Sequence, residues 1–367
     1  MSKYRVGFIG TGKNRKNPSG LGYAMAYLHA DGYKQLSDDC EMVACADIVE
    51  ENARLFADTY GFSAVYTDYH EMLAKENLDI VSICVWPHLH CEMTVAACAA
   101  GVKAVNCEKP MALTFGEART MLQVAEQHGT VLVFNHQRRF GLPFRRAYEL
   151  AHRGELGALV RMEAAMGDLY DGGTHWVDML NYFNDESPAE WVIGQIDARE
   201  DRRVFGAPVE TQAICHVKYR NGVYGLFATG QGMHTLGCPF RLICEKGVIE
   251  VGADSQSPVS PDPGPMLRYR VDGVADWQSV DCKDEHLHGP GYIERAMADL
   301  VDCLNTGREP ELCARHAMNA TEIIFACYES SRRRGRVDLP LTITDSPIGA
   351  MIEKGKLAGR RHPTPEG

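Results

Sequence analysis

One segment of this chain combines residue types that can move a proton on and off an oxygen atom. In GDLYDGGTHWVDML, Asp171 lies four residues before His175, and Asp178 lies three residues after it. Side chains at these spacings meet on one face of a helix. A carboxylate beside an imidazole fixes its tautomer and stabilises its charged form, as in a general base. The pair Gly172-Gly173 would let a bulky ligand approach the backbone. The alternative is a cluster that only caps a helix.

A second segment, NCEKPMALT, places Glu108, Lys109 and Pro110 directly after an apolar run that ends at Cys107. If that run is a strand of a parallel sheet, the tripeptide lies at the carboxyl edge, where ligands of such folds bind. A lysine ammonium there can hold an oxyanion or a ribose hydroxyl, and burial can lower its pKa. The alternative is a solvated surface lysine.

A glycine turn follows the first apolar run of the chain. The sequence VGFIGTG contains Gly7, Gly10 and Gly12, which allow a tight turn and close approach to a pyrophosphate at a helix N-terminus. The usual third glycine is absent three residues after Gly12; KNRKNPS intervenes before Gly20 and Gly22. The pattern favours a dinucleotide site at Gly10 and Gly12, and the alternative is a turn without a ligand.

An acidic residue, Asp47, ends the apolar run EMVACA. An acid at the end of the second strand of a dinucleotide fold bonds the adenosine ribose hydroxyls and repels a 2′-phosphate. We therefore expect NAD as the cofactor, with NADP disfavoured. Asp47 is also suited to capping the next helix, and the two roles are compatible.

The segment VWPHLHCEM follows the buried run DIVSIC. Trp86 and Pro87 break the strand at the edge where a cofactor would lie. His88 and His90 alternate as metal ligands do, but no acid or thiol stands at a suitable spacing, so no metal is expected. We interpret His90 as a cofactor-side or helix-capping residue, and we assign Trp86 and Pro87 to the cofactor site.

The elements that must position these groups change character along the chain. Short apolar runs alternate with helical patterns up to about residue 140, which predicts a Rossmann-type, doubly wound parallel sheet and hence an α/β fold. Strand-like runs then follow one another with few helices, which predicts an α+β domain with a large, mostly antiparallel sheet. We expect a dinucleotide-binding domain at 1–140, a domain for substrate binding and oligomerisation at 141–340, and a tail at 341–367.

The composition limits the classes of molecule that this protein is expected to bind. The chain has 367 residues, 45% hydrophobic and 24% charged, which is ordinary for a globular protein. Its formal net charge of −11 argues against nucleic acid or an anionic membrane as partner. The N-terminus has no signal-peptide pattern, and no apolar run approaches the roughly 18 residues of a membrane span. Thirteen cysteines without a CxxC pair predict reduced thiols and a cytoplasmic protein. An open sheet face predicts a homodimer or homotetramer.

Taken in order, these segments resemble the Gfo/Idh/MocA oxidoreductases, the family of glucose–fructose oxidoreductase and inositol dehydrogenase. The resemblance covers most of the chain, including DIVSICVWPHLHCEMTVAACAAGVKAVNCEKPMALT and FNHQRRFGLPFRRAYELAHRGELGAL. The tripeptide EKP followed by D-x-x-x-H is its most specific part. It implies an NAD(H)-dependent enzyme that transfers a hydride to or from a hydroxyl-bearing carbon of a sugar, sugar derivative or cyclitol.

The resemblance also implies a role for individual residues. Lys109 bonds the substrate hydroxyl and the nicotinamide ribose, and Glu108 helps to place the cofactor. His175 takes the hydroxyl proton, with Asp171 beside it against the substrate. Arg138, in QRRF, contacts the substrate. Gly10, Gly12 and Asp47 hold the dinucleotide. These roles require the Lys109 ammonium and the His175 imidazole to reach the same oxygen.

Alternatives remain at this stage. One is a glycosidase that keeps NAD bound and eliminates its leaving group through transient oxidation. Another is a non-catalytic sensor, which the set Lys109, Asp171 and His175 argues against. The family usually has Thr-Pro where this chain has Val85-Trp86, and a tyrosine where it has His136. With the enlarged phosphate loop, these departures leave the substrate open.

Overall fold

The computed structural model describes residues 3–12, 24–254, 259–260, 264–355 and 357. Gly20 and Gly22 lie outside them. The helices, in chain order, are α1 (Met25–Lys34), α2 (Glu50–Tyr60), α3 (Tyr69–Lys75), α4 (Pro87–Ala99), α5 (Phe115–His128), α6 (Leu142–Arg153), α7 (Gly172–Phe183), α8 (Tyr292–Thr306), α9 (Ala314–Arg333) and α10 (Pro347–Glu353). Short 3-10 turns cover Gln137–Phe140 and Gly230–Thr235.

The strands of the same residues are β1 (Tyr4–Ile9), β2 (Cys40–Ala46), β3 (Ala64–Tyr66), β4 (Ile80–Ile83), β5 (Ala104–Cys107), β6 (Val131–Phe134), β7 (Leu159–Met166), β8 (Ala189–Asp197), β9 (Arg203–Val204), β10 (Ala207–Pro208), β11 (Gln212–Tyr219), β12 (Tyr224–Thr229), β13 (Phe240–Cys244), β14 (Gly247–Val251), β15 (Leu267–Val271), β16 (Gln278–Ser279) and β17 (Val337–Asp338). The chain divides into two compact units, 1–140 with 291–318, and 141–290 with 319–367.

The first unit is built on a parallel sheet with the strand order β3-β2-β1-β4-β5-β6. The order reverses between β1 and β4, so the carboxyl ends of these two strands form the crevice where doubly wound folds bind ligands. All four residues of β4 and of β5 are buried, as expected for strands covered on both faces. The predicted α/β fold is confirmed. Sequence analysis did not identify β3, whose three residues are too few to show a period.

The division of the chain differs from the predicted one at α8. The prediction placed 291–318 in the second domain, whereas this segment belongs to the first unit. The reason is its apolar face: Met297 and Leu300 share one buried cluster with Val6 and Phe8 of β1. Gly32 of α1 makes room for this contact, because a β-carbon there would lie 2.6 Å from Met297 Cγ.

The second unit contains a sheet with the order β16-β15-β14-β13-β7-β12-β11-β8-β17. The pair β7 and β12 is parallel, and the other neighbouring pairs are antiparallel. The helix α7 packs against it through Trp176, whose ring stacks on Phe240 of β13 at 5.2 Å. The predicted mostly antiparallel sheet is confirmed. The expected tail is part of this unit, with Ile348 and Met351 of α10 buried.

Two further observations concern the whole described chain. Among the helices of the described residues, none is both long enough and apolar enough to cross a membrane. All thirteen cysteines are free thiols, and most are buried. Burial raises the pKa of Cys45 to about 12, so this thiol is protonated and unreactive at neutral pH.

Candidate active-site elements

The glycine turn at the end of β1 has the geometry that a dinucleotide needs. Gly10 and Gly12 have φ values of +82° and +59°, in the left-handed region that favours glycine. A β-carbon on Gly10 would lie 2.8 Å from the carbonyl oxygen of Cys84, so this position must be glycine for β1 and the end of β4 to approach each other. Among the described residues, no heavy atom lies within 4 Å of a β-carbon built on Gly12.

Asp47 holds this turn in place. Its Oδ2 accepts hydrogen bonds from the Thr11 backbone N–H at 2.9 Å, the Thr11 hydroxyl at 3.0 Å and the Gly12 backbone N–H at 3.1 Å. Its Oδ1 accepts from the Val49 N–H at 2.9 Å. The N-cap of α2 is Val49, so Asp47 is not the cap residue. The carboxylate shapes the glycine turn, and its contact with a ribose stays a prediction.

These residues fit a dinucleotide. The turn lies at the carboxyl ends of β1 and β4, and Gly10, Gly12 and Asp47 are partly exposed there. The assignment of Gly10, Gly12 and Asp47 to the dinucleotide site stays a prediction.

The tripeptide after β5 is supported by a buried carboxylate. Glu108 Oε1 accepts a hydrogen bond from Asn135 Nδ2 at 2.7 Å and lies 2.9 Å from His29 Nε2. Its Oε2 accepts from the Lys109 backbone N–H at 3.3 Å. Burial alone would raise the pKa of Glu108, but the bonds from His29 and Asn135 and the charge of Lys109 together lower it. Glu108 is thus a charged group that fixes the backbone beside Lys109.

His29 connects this carboxylate to the strands around it. Its Nδ1 lies 3.2 Å from Asn106 Nδ2 and 3.3 Å from Ser82 Oγ. Because the charged carboxylate of Glu108 can only accept, His29 Nε2 carries the hydrogen that is donated to Oε1. Through these contacts the ring connects α1 with β4, with β5 and with Asn135, the residue after β6. Lys109 itself is partly exposed.

His90 supports the tripeptide from its other side. Its Nδ1 lies 2.9 Å from the Pro110 carbonyl oxygen and its Nε2 3.1 Å from the Val85 carbonyl oxygen. The ring is fully buried. Burial lowers the pKa of His90 although both carbonyl contacts raise it, so the ring is neutral at pH 7 and donates to one carbonyl at a time. This corrects the capping interpretation, because the N-cap of α4 is Trp86 and His90 bonds other carbonyl groups. The place of His90 at the cofactor side stays a prediction, which its burial does not support.

Trp86 and Pro87 form the start of α4. Trp86 occupies the N-cap position and Pro87 the first turn, where a missing N–H costs nothing. Trp86 is partly exposed and Pro87 is buried. Their assignment to the cofactor site stays a prediction. The partial exposure of Trp86 supports it, whereas the burial of Pro87 does not.

The helix α7 carries the histidine and the carboxylates of the first motif. Asp171 is its N-cap residue, and its backbone N–H donates to Asp168 Oδ1 at 2.6 Å. His175 is in the first turns and buried, with 5% of its surface exposed. Within the described residues, the Asp171 side chain caps no backbone N–H of α7. Its role beside His175 stays a prediction.

Packing within the chain explains one of the two glycines that precede His175. A β-carbon on Gly173 would lie 2.3 Å from the Asp168 carbonyl oxygen, so a glycine is needed for α7 to begin against that turn. In the described part of the chain, no heavy atom lies within 4 Å of a β-carbon built on Gly172. The predicted role of admitting a ligand to the backbone therefore stays a prediction for Gly172 alone.

Arg138 and Arg139 follow β6 in the turn Gln137–Phe140, and both are buried. Arg139 donates to Glu311 Oε1 at 3.1 Å and lies 3.2 Å from His316 Nδ1. Arg139 therefore has a structural role within the first unit, and Arg138 as a substrate contact stays a prediction. Over the described ranges, no group of three or more His, Cys, Asp or Glu side chains is arranged to hold a metal ion.

Two family models match this chain. Residues 4–136 match the NAD-binding Rossmann fold of the Gfo/Idh/MocA oxidoreductases, and residues 126–339 match the C-terminal α/β domain of the same family. The chain belongs to the Gfo/Idh/MocA family. The first unit of this Gfo/Idh/MocA oxidoreductase is an NAD-binding Rossmann domain, and the predicted family and cofactor are confirmed.

Named relatives of this Gfo/Idh/MocA protein act on polyols and sugars. It is 25% identical to a myo-inositol 2-dehydrogenase of Thermotoga maritima over 60% of this chain and 67% of that protein. It is 23% identical to a D-apiose dehydrogenase of Paraburkholderia graminis over 97% of this chain and 95% of that protein. A shorter stretch, 38% of this chain and 39% of that protein, is 35% identical to a D-glucoside 3-dehydrogenase of Escherichia coli.

Solved structures share the Gfo/Idh/MocA fold. The WlbA dehydrogenase of Bordetella pertussis, solved with NADH and UDP-GlcNAcA, superposes with a TM-score of 0.71 at 20% identity over 93% of this chain and 100% of that chain. The myo-inositol 2-dehydrogenase of Lactobacillus plantarum gives 0.69 at 20% identity, over 92% of this chain and 100% of that chain. At these identities the likeness establishes the fold alone.

The sequence analysis did not identify His29 and Asn135, the buried residues that hydrogen-bond Glu108 beside Lys109. His29 gave a usable signal, because it lies on the face of α1 that buries Ala26, Ala30 and Tyr33. A polar residue inside an apolar stripe indicates a buried bond. Asn135, which precedes His136, gave no such signal.

Proposed function

We propose that this oxidoreductase uses NAD(H) to transfer a hydride to or from a hydroxyl-bearing carbon of a sugar, sugar derivative or cyclitol. The observation that carries the proposal is the support of Lys109, whose backbone is fixed by the buried, charged Glu108 at the carboxyl end of β5. An ammonium carried by a backbone fixed at this edge of the sheet is suited to hold a substrate oxygen. The named relatives, which act on inositol, apiose and glucosides, favour the substrate class.

The roles follow from the chemistry of a carbinol carbon. NAD supplies the hydride acceptor when it is bound. A hydroxyl must lose its proton as the hydride leaves, so His175 takes that proton and Asp171 orients the imidazole. Lys109 holds a substrate oxygen and stabilises its negative charge, an effect worth about several kcal/mol in preorganised sites. Arg138 contacts the substrate.

The test is a screen of polyols and aldoses for net formation of NADH, followed by variants. Lys109→Ala removes turnover and leaves NAD affinity within about twofold, because the dinucleotide is held mainly by the glycine turn. The matched control is Lys103→Ala, which removes an exposed lysine paired with Asp79 and leaves turnover intact. Unchanged turnover in Lys109→Ala would reject the role. Release of sugar without accumulated NADH would identify the glycosidase.

His175 is tested by the pH dependence of oxidation. A histidine has an ordinary pKa of about 6.5, so oxidation falls as the pH drops and the base becomes protonated. His175→Ala lowers turnover at least about a hundredfold, and the residual rate lacks this acid limb. A limb that persists in the variant assigns the titration to another group.

Asp47 is tested by cofactor preference. We propose NAD in preference to NADP, because the carboxylate repels a 2′-phosphate. The carboxylate also holds Thr11 and Gly12, so Asp47→Ala weakens the binding of NAD and NADP together instead of reversing the preference. Equal use of both cofactors by the wild-type protein would reject the assignment.

We also propose a homodimer or homotetramer that covers the outer face of the second sheet. Ile193 of β8 and Ile214 of β11 are 45% and 55% exposed on neighbouring strands, and exposed apolar patches mark interfaces. Light scattering gives the mass, and Ile214→Asp converts the assembly to smaller species. A wild-type monomer contradicts the proposal.

The thirteen free thiols favour a reducing compartment. We keep the cytoplasm as the proposed location. Fractionation of the source cells tests it, and recovery of the protein outside the cytoplasm rejects it.

A further inference from the structure

A second buried carboxyl group, Glu210, lies in the second unit between β10 and β11 and is fully buried. Its Oε1 accepts hydrogen bonds from the Leu169 backbone N–H at 2.6 Å and from the Thr229 hydroxyl at 2.9 Å. Its Oε2 accepts from the Tyr328 hydroxyl at 2.8 Å. One carboxyl group thus joins the turn after β7, the end of β12 and the helix α9.

The bond to Leu169 reaches the segment that leads into α7. Leu169 stands between the end of β7 at Met166 and the first residue of α7 at Gly172. In the same turn, Asp168 Oδ1 accepts from the Asp171 N–H, and the Asp168 carbonyl packs where Gly173 has no β-carbon. The turn therefore sets the position and direction of the first residues of α7.

We propose that Glu210 is a positioning residue for His175: it fixes the turn 168–171 through Leu169, and the turn fixes the first turns of α7. The inference rests on the proposed catalytic role of His175. Displacement of a catalytic group by about 1 Å can lower a rate by about a hundredfold. A residue that fixes the helix carrying His175 can therefore change kcat strongly.

The titratable groups that influence the pKa of Glu210, or whose pKa Glu210 influences, all lose a positive hydrogen ion to become negatively charged. Asp168 faces Glu210 from the turn, and Tyr328 and Cys327 face it from α9; Thr229 of β12 does not titrate. Burial and the charge of Asp168 raise the pKa of Glu210 to about 7. Since Oε1 already accepts two donors, the proton of the neutral form is on Oε2, where the Tyr328 oxygen accepts it. The bond to Leu169 persists in both protonation states.

This geometry predicts which substitutions matter. Glu210→Gln keeps an acceptor for Leu169 and Thr229 and keeps the position of His175. Glu210→Leu removes the acceptor, and Glu210→Asp withdraws it by one methylene. Tyr328→Phe is the matched control, because it removes a buried bond of the same carboxyl group but leaves the bond to Leu169.

The experiment observes His175 directly in the full-length protein. The protein is labelled with ¹³C in its histidine rings, and the His175 signal is assigned by its loss in His175→Ala. We expect the signal to move in Glu210→Leu and Glu210→Asp and to keep its wild-type position in Glu210→Gln and Tyr328→Phe. With the sugar or polyol from the screen, kcat falls at least about tenfold in Glu210→Leu, and KM for NAD stays within about twofold.

Each outcome decides one question. If Glu210→Leu does not fold, Glu210→Asp gives the answer. An unmoved His175 signal in the variants that fold, or an equal movement in Tyr328→Phe, overturns the positioning role. Full turnover in His175→Ala overturns the proposed function instead, and the signal positions still test the geometry.

Discussion

Two buried glutamates, one in each unit, hold the segments that carry the proposed chemistry, and their acidities shift in opposite directions. Glu108 accepts from His29, Asn135 and the Lys109 backbone, and Glu210 accepts from Leu169, Thr229 and Tyr328. Both are buried, and each has three partners. The pKa of Glu108 is lowered, and that of Glu210 is raised to about 7.

The difference shows that burial alone does not determine whether a carboxyl group is charged. Burial raises the pKa of both groups, and the partners of each group decide the net direction. Hydrogen bonds from His29 and Asn135, together with the charges of His29 and Lys109, lower the pKa of Glu108. The charge of Asp168 adds to the effect of burial and raises the pKa of Glu210. The first unit therefore holds a fixed negative charge, and the second holds a proton that is exchanged near neutral pH.

Replacing each glutamate by leucine gives the largest predicted contrast. Glu108→Leu lowers the free energy of unfolding by about 3–5 kcal/mol, because it leaves the donors of a buried charged cluster unpaired. Glu210→Leu costs about 1–3 kcal/mol, since its partners are neutral and two are hydroxyl groups that can turn. Urea unfolding at about pH 7 measures both. Equal losses would contradict the contrast.

Replacement by glutamine gives effects of opposite sign at about pH 8. Glu108→Gln lowers the free energy of unfolding by about 1.5–3 kcal/mol, because bonds to a charged acceptor are lost. Glu210→Gln raises it by about 1–3 kcal/mol, because the amide avoids the cost of a charge that the site disfavours. Glu41→Gln, at an exposed position, is the control and changes little.

The pH dependence of these two differences follows from the direction of each shift. The stabilising contribution of Glu108, whose pKa is lowered in the folded state, is complete above its ordinary pKa and is lost as pH falls through the lowered value. The contribution of Glu210 is complete below its ordinary pKa and is lost as pH rises toward about 7. The free energy of unfolding is measured for wild type, Glu108→Gln and Glu210→Gln from acid pH to about pH 8. The comparison is rejected if the stabilising contributions of Glu108 and Glu210 change with pH in the same direction.

The smallest predicted effects come from single partners. Asn135→Ala removes a donor to the charged Glu108 and costs about 1.5–2 kcal/mol, whereas Thr229→Val removes a donor to Glu210 and costs about 0.5–1 kcal/mol. Thermal unfolding ranks the two. A larger loss in Thr229→Val would show that the charge of the acceptor does not control the strength of these bonds.

The sequence by itself determined the elements and the residue types of the candidate site. The alternation of buried runs and helical patterns predicted the parallel sheet, and Gly10 and Gly12 predicted the turn at the end of its first strand. The spacing of Asp171 and His175 predicted the helix that the structure contains. Such features depend on residues within about ten positions of each other, so their period is visible in the chain.

Only the tertiary structure decided which residues support that site and to which unit α8 belongs. His29 and Glu108 are 79 residues apart, and Leu169 and Glu210 are 41 apart. These pairs meet because strands and helices that are distant in sequence become neighbours when the sheets form. Their energies depend on burial and neighbouring charge, which are properties of the folded surroundings and not of local spacing.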